Sequence, residues 1–161
     1  MGELCVLTRK DIDDIYIYVN HSEHKANFKD GHKYFLGEPK KGKKRKVALS
    51  ASAKSILNRI LVLHNSDWLF PSDIHEGSWM RSYCFDKAIR KVCKRCNMPV
   101  CSMHKLRKTY ASFLLSLPNI DEKVVQAQLG HADISTTRKC YQYNIWDEDQ
   151  ALAMLQNIAV G

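Results

Sequence analysis

Four side chains between positions 104 and 141 have types and spacing that suit work on an anion. His104 and Arg107 stand at i and i+3; on a helix they share a face and can converge on one ligand. A guanidinium offers a planar fork of donors that matches two oxygens of a phosphate. His131 follows Gly130, which places its imidazole near a helix end or turn, free to point into a cleft. Tyr141 brings an oxygen nucleophile ten positions later. A phenol ordinarily ionises near pH 10, and nearby cations favour the phenolate. Basic neighbours and a reactive tyrosine therefore make chemical sense together.

The elements that must carry these residues can be read from pattern. Residues 3–7 resemble the end of a helix. The run Ile12 to Val19 is β-branched and aromatic, as a strand should be. Shorter strands are expected at residues 34–36 and 46–49, with the Lys-Lys-Gly-Lys segment at 40–43 turning between them. Ser50 is a good N-cap for a helix with Ala53, Ile56, Leu57, Ile60 and Leu61 at helical spacing. A long helix is expected from about Trp79, its inward stripe formed by Cys84, Phe85, Ala88, Val92 and Cys96, ending at Asn97 and Pro99. From His104 the next helix should turn Leu106, Tyr110, Phe113 and Leu114 inward. Asp121 can cap a further helix that stops at Gly130, a typical residue after a helix end. Ser135 can cap a short helix bearing Tyr141, and residues 151–158 form a last amphipathic segment. The sum is α+β: a small three-stranded antiparallel sheet near the N-terminus, then a mostly helical body.

The ordered set His104-Lys-Leu-Arg107, Leu129-Gly130-His131 and Tyr141 is similar to the C-terminal signature of the tyrosine recombinases, the phage and transposon integrases. Thr109-Tyr-Ala-Ser-Phe-Leu-Leu and Ser135-Thr-Thr extend the likeness. Gly2-Glu3-Leu4 with Leu7-Thr8 and Asp11-Ile12-Asp13 resembles the stretch that follows the family's first active-site arginine. The basic segment from Lys40 to Leu49 resembles the β-turn bearing its catalytic lysine. The likeness thus spans nearly the whole chain. It implies site-specific DNA strand exchange through a 3′-phosphotyrosyl link on Tyr141, without cofactor or metal. Arg107 and His131 would hold the scissile phosphate, His104 would exchange a proton near it, and Lys40 would protonate the departing 5′ oxygen, with Lys41 or Lys43 as substitutes. The partners implied are double-stranded DNA, a homotetramer joined through the C-terminal segment, and an accessory directionality factor.

The sequence departs from the family pattern in places. The family's first arginine would fall before Met1, so the resemblance implies a catalytic domain (residues 1–161) truncated at its N-terminus, lacking that arginine and the usual DNA-clamping domain. Loss of one such donor typically costs about 10²–10³ in rate, so residues 1–161 alone are expected to be nearly inactive. Lys108 and Tyr143 stand where histidines are frequent. Tyr143 is also the nearest competitor of Tyr141 as nucleophile.

Bulk properties agree with this reading. In 161 residues, 25 lysines and arginines face 17 acidic residues, a formal charge of +8. That favours a polyanion as partner. Nothing approaches the roughly 18 apolar residues of a membrane span, no secretory signal opens the chain, and the six cysteines read as reduced thiols of a cytoplasmic protein. Cys93, Cys96, Cys101 and His104 have a spacing that can be taken for zinc ligands. Cys93 and Cys96, however, fall on the stripe expected to be buried, where cysteine serves as a small apolar residue. The rival readings are a chromosome-dimer-resolving recombinase and a sequence-reading DNA-binding module without catalysis.

Overall fold

The computed structural model describes residues 1–40 and 44–130. The chain divides into two compact units, Met1–Leu106 and Arg107–Gly161.

The first unit opens with a one-turn helix, α1 (Gly2–Cys5), then a 3-10 turn at Arg9–Asp11. Local chemistry fixes that turn: Thr8 donates to Asp11 Oδ2 through both its backbone nitrogen (2.9 Å) and its hydroxyl (2.7 Å). Asn20 Nδ2 satisfies the other oxygen of this buried carboxylate at 3.0 Å. The chain then forms β1 (Tyr16–Val19), β2 (Ser22–Phe28), β3 (Gly31–Gly37) and β4 (Arg45–Ala48). Antiparallel β1 and β4 make one ladder, from Tyr16↔Ala48 to Val19↔Arg45. Strands β2 and β3 make a second, from Ser22↔Gly37 to Phe28↔Gly31. The β2–β3 hairpin is thus an excursion between two strands that pair with each other.

The α+β class and the antiparallel pairing are as expected; the arrangement is not. Two two-stranded ladders replace one three-stranded sheet. Strand β2, Ser-Glu-His-Lys-Ala-Asn-Phe, carries no apolar alternation, and only its partners reveal it. The first strand begins at Tyr16 rather than Ile12. Asp13 Oδ1 accepts from the backbone nitrogens of Ile15 (2.7 Å) and Tyr16 (2.6 Å), folding residues 13–16 into a turn.

Helix α2 (Ala51–Leu61) starts where Ser50 Oγ accepts from Ala53 N at 3.2 Å, as expected of the cap. Its far end is held from a distance. The Arg9 guanidinium donates to the carbonyls of Leu61 and Ser66, each at 2.7 Å, and to that of His64. Leu7, Leu57 and Leu69 form the core of this unit, flanked by Leu4, Ile12, Ile17, Leu49 and Ile60. Helix α3 (Ser82–Arg95) begins three residues later than its apolar pattern suggested. Its protected face runs through Phe85, Ile89 and Cys93, while Ala88, Val92 and Cys96 are exposed. The expected stripe is therefore out of phase with the protected face, which is set by what packs against the helix.

Helix α4 (Met103–Ser116) runs across the division between the units. In the second unit Ala111 and Leu115 pack against Val125 and Leu129 of α5 (Glu122–Leu129), with Leu114 and Ile120 alongside. Of the four residues expected inward on α4, only Leu114 is partly buried; Leu106, Tyr110 and Phe113 are exposed. The small residues Ala111 and Ser112 are buried instead. Asp121 caps α5, accepting from Lys123 N at 2.7 Å, and Gly130 ends it with φ 67°, both as expected. The short helix expected to bear Tyr141 and the amphipathic segment expected at 151–158 lie outside the described residues.

Candidate active site

Of the five expected site residues, Lys40, His104 and Arg107 are described; His131 and Tyr141 lie outside the described residues. His104 and Arg107 share α4 one turn apart. The start of that helix is fixed by neighbours: Met103 N donates to Asp86 Oδ1 of α3 at 3.0 Å, and Lys105 N to Ser102 Oγ at 3.3 Å. His104 is exposed in that first turn.

Arg107 is half-buried, and its Nη2 donates to the carbonyl of Leu129, the last residue of α5. A cation at a helix C-terminus meets carbonyls without intrahelical partners and the negative end of the helix dipole. The contact ties the guanidinium to the end of α5, which left-handed Gly130 closes. Two separated sequence motifs, His-x-x-Arg and Leu-Gly-His, are thereby joined through a backbone carbonyl.

Lys40 belongs to the first unit. It is exposed and follows the buried Pro39 in the connection between β3 and β4. Where that connection enters β4, Arg45 makes a two-pronged ion pair with Glu3 of α1, Nη1–Oε1 2.8 Å and Nη2–Oε2 2.7 Å. The fork-to-fork geometry fixes both planes. Sequence reasoning missed this pair; the basic run hid which of its members is structural.

It missed Glu23 as well. This carboxylate, 2% exposed on β2, accepts from Trp79 Nε1 at 2.8 Å and Ser82 N at 3.1 Å, with Arg81 Nη1 3.8 Å away. It thereby caps the start of α3 from the hairpin. The Arg81 guanidinium lies over the Trp79 and Tyr34 rings, 4.7 and 5.1 Å from their centroids. Nearby, burial pushes the Cys5 thiol up to about 12, and the Glu23 charge acts in the same sense.

Of the cysteines in the zinc-like spacing, Cys93 is buried with its sulfur 3.6 Å from that of Cys101, and Cys96 is exposed at the end of α3. Cys93 is thus on the protected face as expected and Cys96 is not. The Cys93 hydrogen bond, with loss of solvent, raises the Cys101 thiol. Among the described residues no three His, Cys, Asp or Glu side chains cluster as metal ligands. No described helix is long and apolar enough to cross a membrane.

Comparison with known proteins gives a consistent answer. The pattern of the phage integrase family matches residues 1–145, a span that includes all five expected residues. The chain belongs to that family. Tyrosine recombinase XerD of Brucella suis biovar 1 (strain 1330) is 35% identical over 116 residues, covering 66% of this chain and 37% of that protein. XerD of Rhizobium meliloti (strain 1021) is 38% identical over 76 residues, 46% of this chain and 24% of its own. The chain therefore spans about a third or less of these curated relatives. Among solved structures, the Tn1549 transposon integrase in complex with circular intermediate DNA superposes with a TM-score of 0.74 at 23% identity, covering 99% of this chain and 55% of its own. XerA recombinase gives 0.68 at 23% identity, covering 96% and 51%. At that identity the structures establish the shared fold.

Proposed function

We propose that this chain is the catalytic domain of a site-specific DNA recombinase or integrase that cleaves and rejoins strands through Tyr141. The observation that carries the reading is the Arg107 guanidinium seated on the carbonyl beside Gly130-His131, in a chain of this family. That contact supports the reading because Leu129 stands two residues before His131 in the sequence, so the two motifs proposed to meet one phosphate are tied near one helix end.

In the reaction, the Tyr141 oxygen forms a bond to phosphorus as the bond from phosphorus to the 5′ oxygen breaks. The phenolic proton passes to His104, and the leaving oxygen takes a proton from Lys40. Arg107 and His131 stabilise the charge that grows on the non-bridging oxygens. One phosphodiester is exchanged for another, so rejoining needs no external energy. Double-stranded DNA is the partner, and exposed Lys87, Arg90, Lys91, Lys94 and Arg95 on α3 supply cations for its backbone. Assembly as a homotetramer through the C-terminal segment, an accessory directionality factor and a cytoplasmic setting belong to the same proposal.

The test is covalent trapping on a nicked duplex carrying the element's own end sequence, with the chain extended upstream to include the family's first arginine. An adduct that disappears in Tyr141→Phe is the expected outcome, with residues 1–161 alone slower by about 10²–10³. Equal rates for the short and extended chains would overturn the truncation reading. Salt-sensitive binding with no adduct from the extended chain would favour the second reading, a DNA-reading module without catalysis. Chromosome-dimer resolution stands beside mobile-element integration as the alternative biological use of the same chemistry.

A further inference from the structure

The described residues flanking positions 41–43 between β3 and β4, Lys40 among them, are anchored by groups outside the expected catalytic set. On the incoming side, His24 Nε2 donates to the carbonyl of Glu38, two residues before Lys40, at 2.8 Å. The imidazole is kept in place by stacking on Phe35, with centroids 5.6 Å apart and planes 19° from parallel. Gly37 makes this possible: a Cβ there would lie 2.7 Å from His24 Cδ2 and 3.0 Å from Nε2. Pro39, buried between the clamped carbonyl and Lys40, leaves little freedom in φ at the last step. On the outgoing side, the Arg45 fork is locked on Glu3, with the two side chains only 15% and 24% exposed.

Lys40 itself is exposed. A flexible ammonium on a solvent-facing loop is a poor proton donor unless its backbone is fixed, because effective general acids sit within hydrogen-bond reach of the leaving atom. We propose that His24 and Arg45 are positioning residues, which set the backbone from which Lys40 delivers its proton to the 5′ oxygen. The proposal rests on Lys40 being the acid.

The experiment compares cleavage of two nicked duplexes by the upstream-extended chain. One has the natural scissile phosphate; in the other, sulfur replaces the bridging 5′ oxygen. A thiolate leaves without a proton, so loss of the acid should slow the oxygen substrate alone. Lys40→Ala is the control, expected to lose a large part of the roughly 10²–10⁴ that a general acid contributes and to regain it on sulfur. His24→Ala, Gly37→Ala and Arg45→Met should each slow the oxygen substrate by about tenfold or more, a fraction of that contribution, with near-normal rates on sulfur. Arg45→Lys, keeping one charged donor to Glu3, should recover part of the loss. Near-normal cleavage of the sulfur substrate also shows that each variant is folded.

Equal slowing on both substrates would make the clamps merely structural, and no slowing would make them irrelevant; either overturns the proposal. If Lys40→Ala is not rescued by sulfur, the assignment of the acid fails first and the proposal fails with it. That outcome is separate from one in which Lys40 is rescued and the clamp variants are not.

Discussion

At the scale of single residues, candidates for chemistry are easier to pick out in the sequence than the side chains that build the scaffold around them. His104, Arg107, His131 and Tyr141 stand out because their types are uncommon together and their order is informative. Glu23 and Arg45 do not, because each works through one partner far away in sequence: Glu23 through Trp79 and Ser82, Arg45 through Glu3. No window of neighbours contains such a pairing. Asp13 shows the opposite case, a residue whose hydrogen-bond partners all lie within five positions of it. The Tyr18 hydroxyl at 2.7 Å, with the backbone nitrogens of Ile15 and Tyr16, holds its carboxyl below the ordinary value of 3.8. A carboxylate with a depressed folded pKa adds stability above the ordinary value and loses it as the pH falls through the lower one. The urea midpoint of Asp13→Asn should therefore lie below that of the wild type at neutral pH. The gap should close as the pH falls below the ordinary carboxylate range; a gap unchanged by pH would show that the ionised form is not what matters.

Among the elements, those announced by their own ends were readable. Ser50, Asp121 and Gly130 mark helix termini through contacts within a few residues, and all three do what their types suggest. Strand β2 and the phase of α3 were not readable, since burial there is decided by what packs against them. Ala111 and Ser112 show the same limit. Small residues were passed over in favour of Tyr110 and Phe113, yet Ala111 and Ser112 are buried and the two aromatic residues are exposed. The end of α2 illustrates how such non-local ties can be tested. Arg9 reaches three carbonyls around residues 61–66. Arg9→Met retains much of the stem and strands those acceptors. It should destabilise the first unit by at least about 2 kcal/mol, given that hydrogen bonds from charged donors are worth about 1.5–3 each. Chemical denaturation measures it, and a change within about 0.5 kcal/mol, as for an ordinary surface substitution, would refute the anchoring role.

For the molecule as a whole, charge bears most directly on function. A formal charge of +8 gives a long-range pull toward a polyanion, but the exposed cations of α3 make no statement about base sequence. Binding to an arbitrary duplex should weaken steeply with salt, the logarithm of the constant falling by about 0.9 for each phosphate neutralised per unit of log salt. Replacing Lys91 and Lys94 together by Gln should flatten that slope by up to about two units, equally on specific and unrelated DNA. An unchanged slope would remove α3 from the interface. Charge and class were visible from composition and motif order. The division at residue 106 was not, since it falls inside one continuous helix.

The contact of Trp68 with Trp79, ring centroids 5.1 Å apart, also gives the protein an optical probe of its own. Trp79 binds Glu23 of the hairpin through its indole nitrogen and lies under the Arg81 cation, so its emission is sensitive to whether the hairpin is seated on the start of α3. With Trp146, the remaining tryptophan of the chain, replaced by Phe, hairpin attachment could be followed by ultraviolet fluorescence during DNA binding without any added dye.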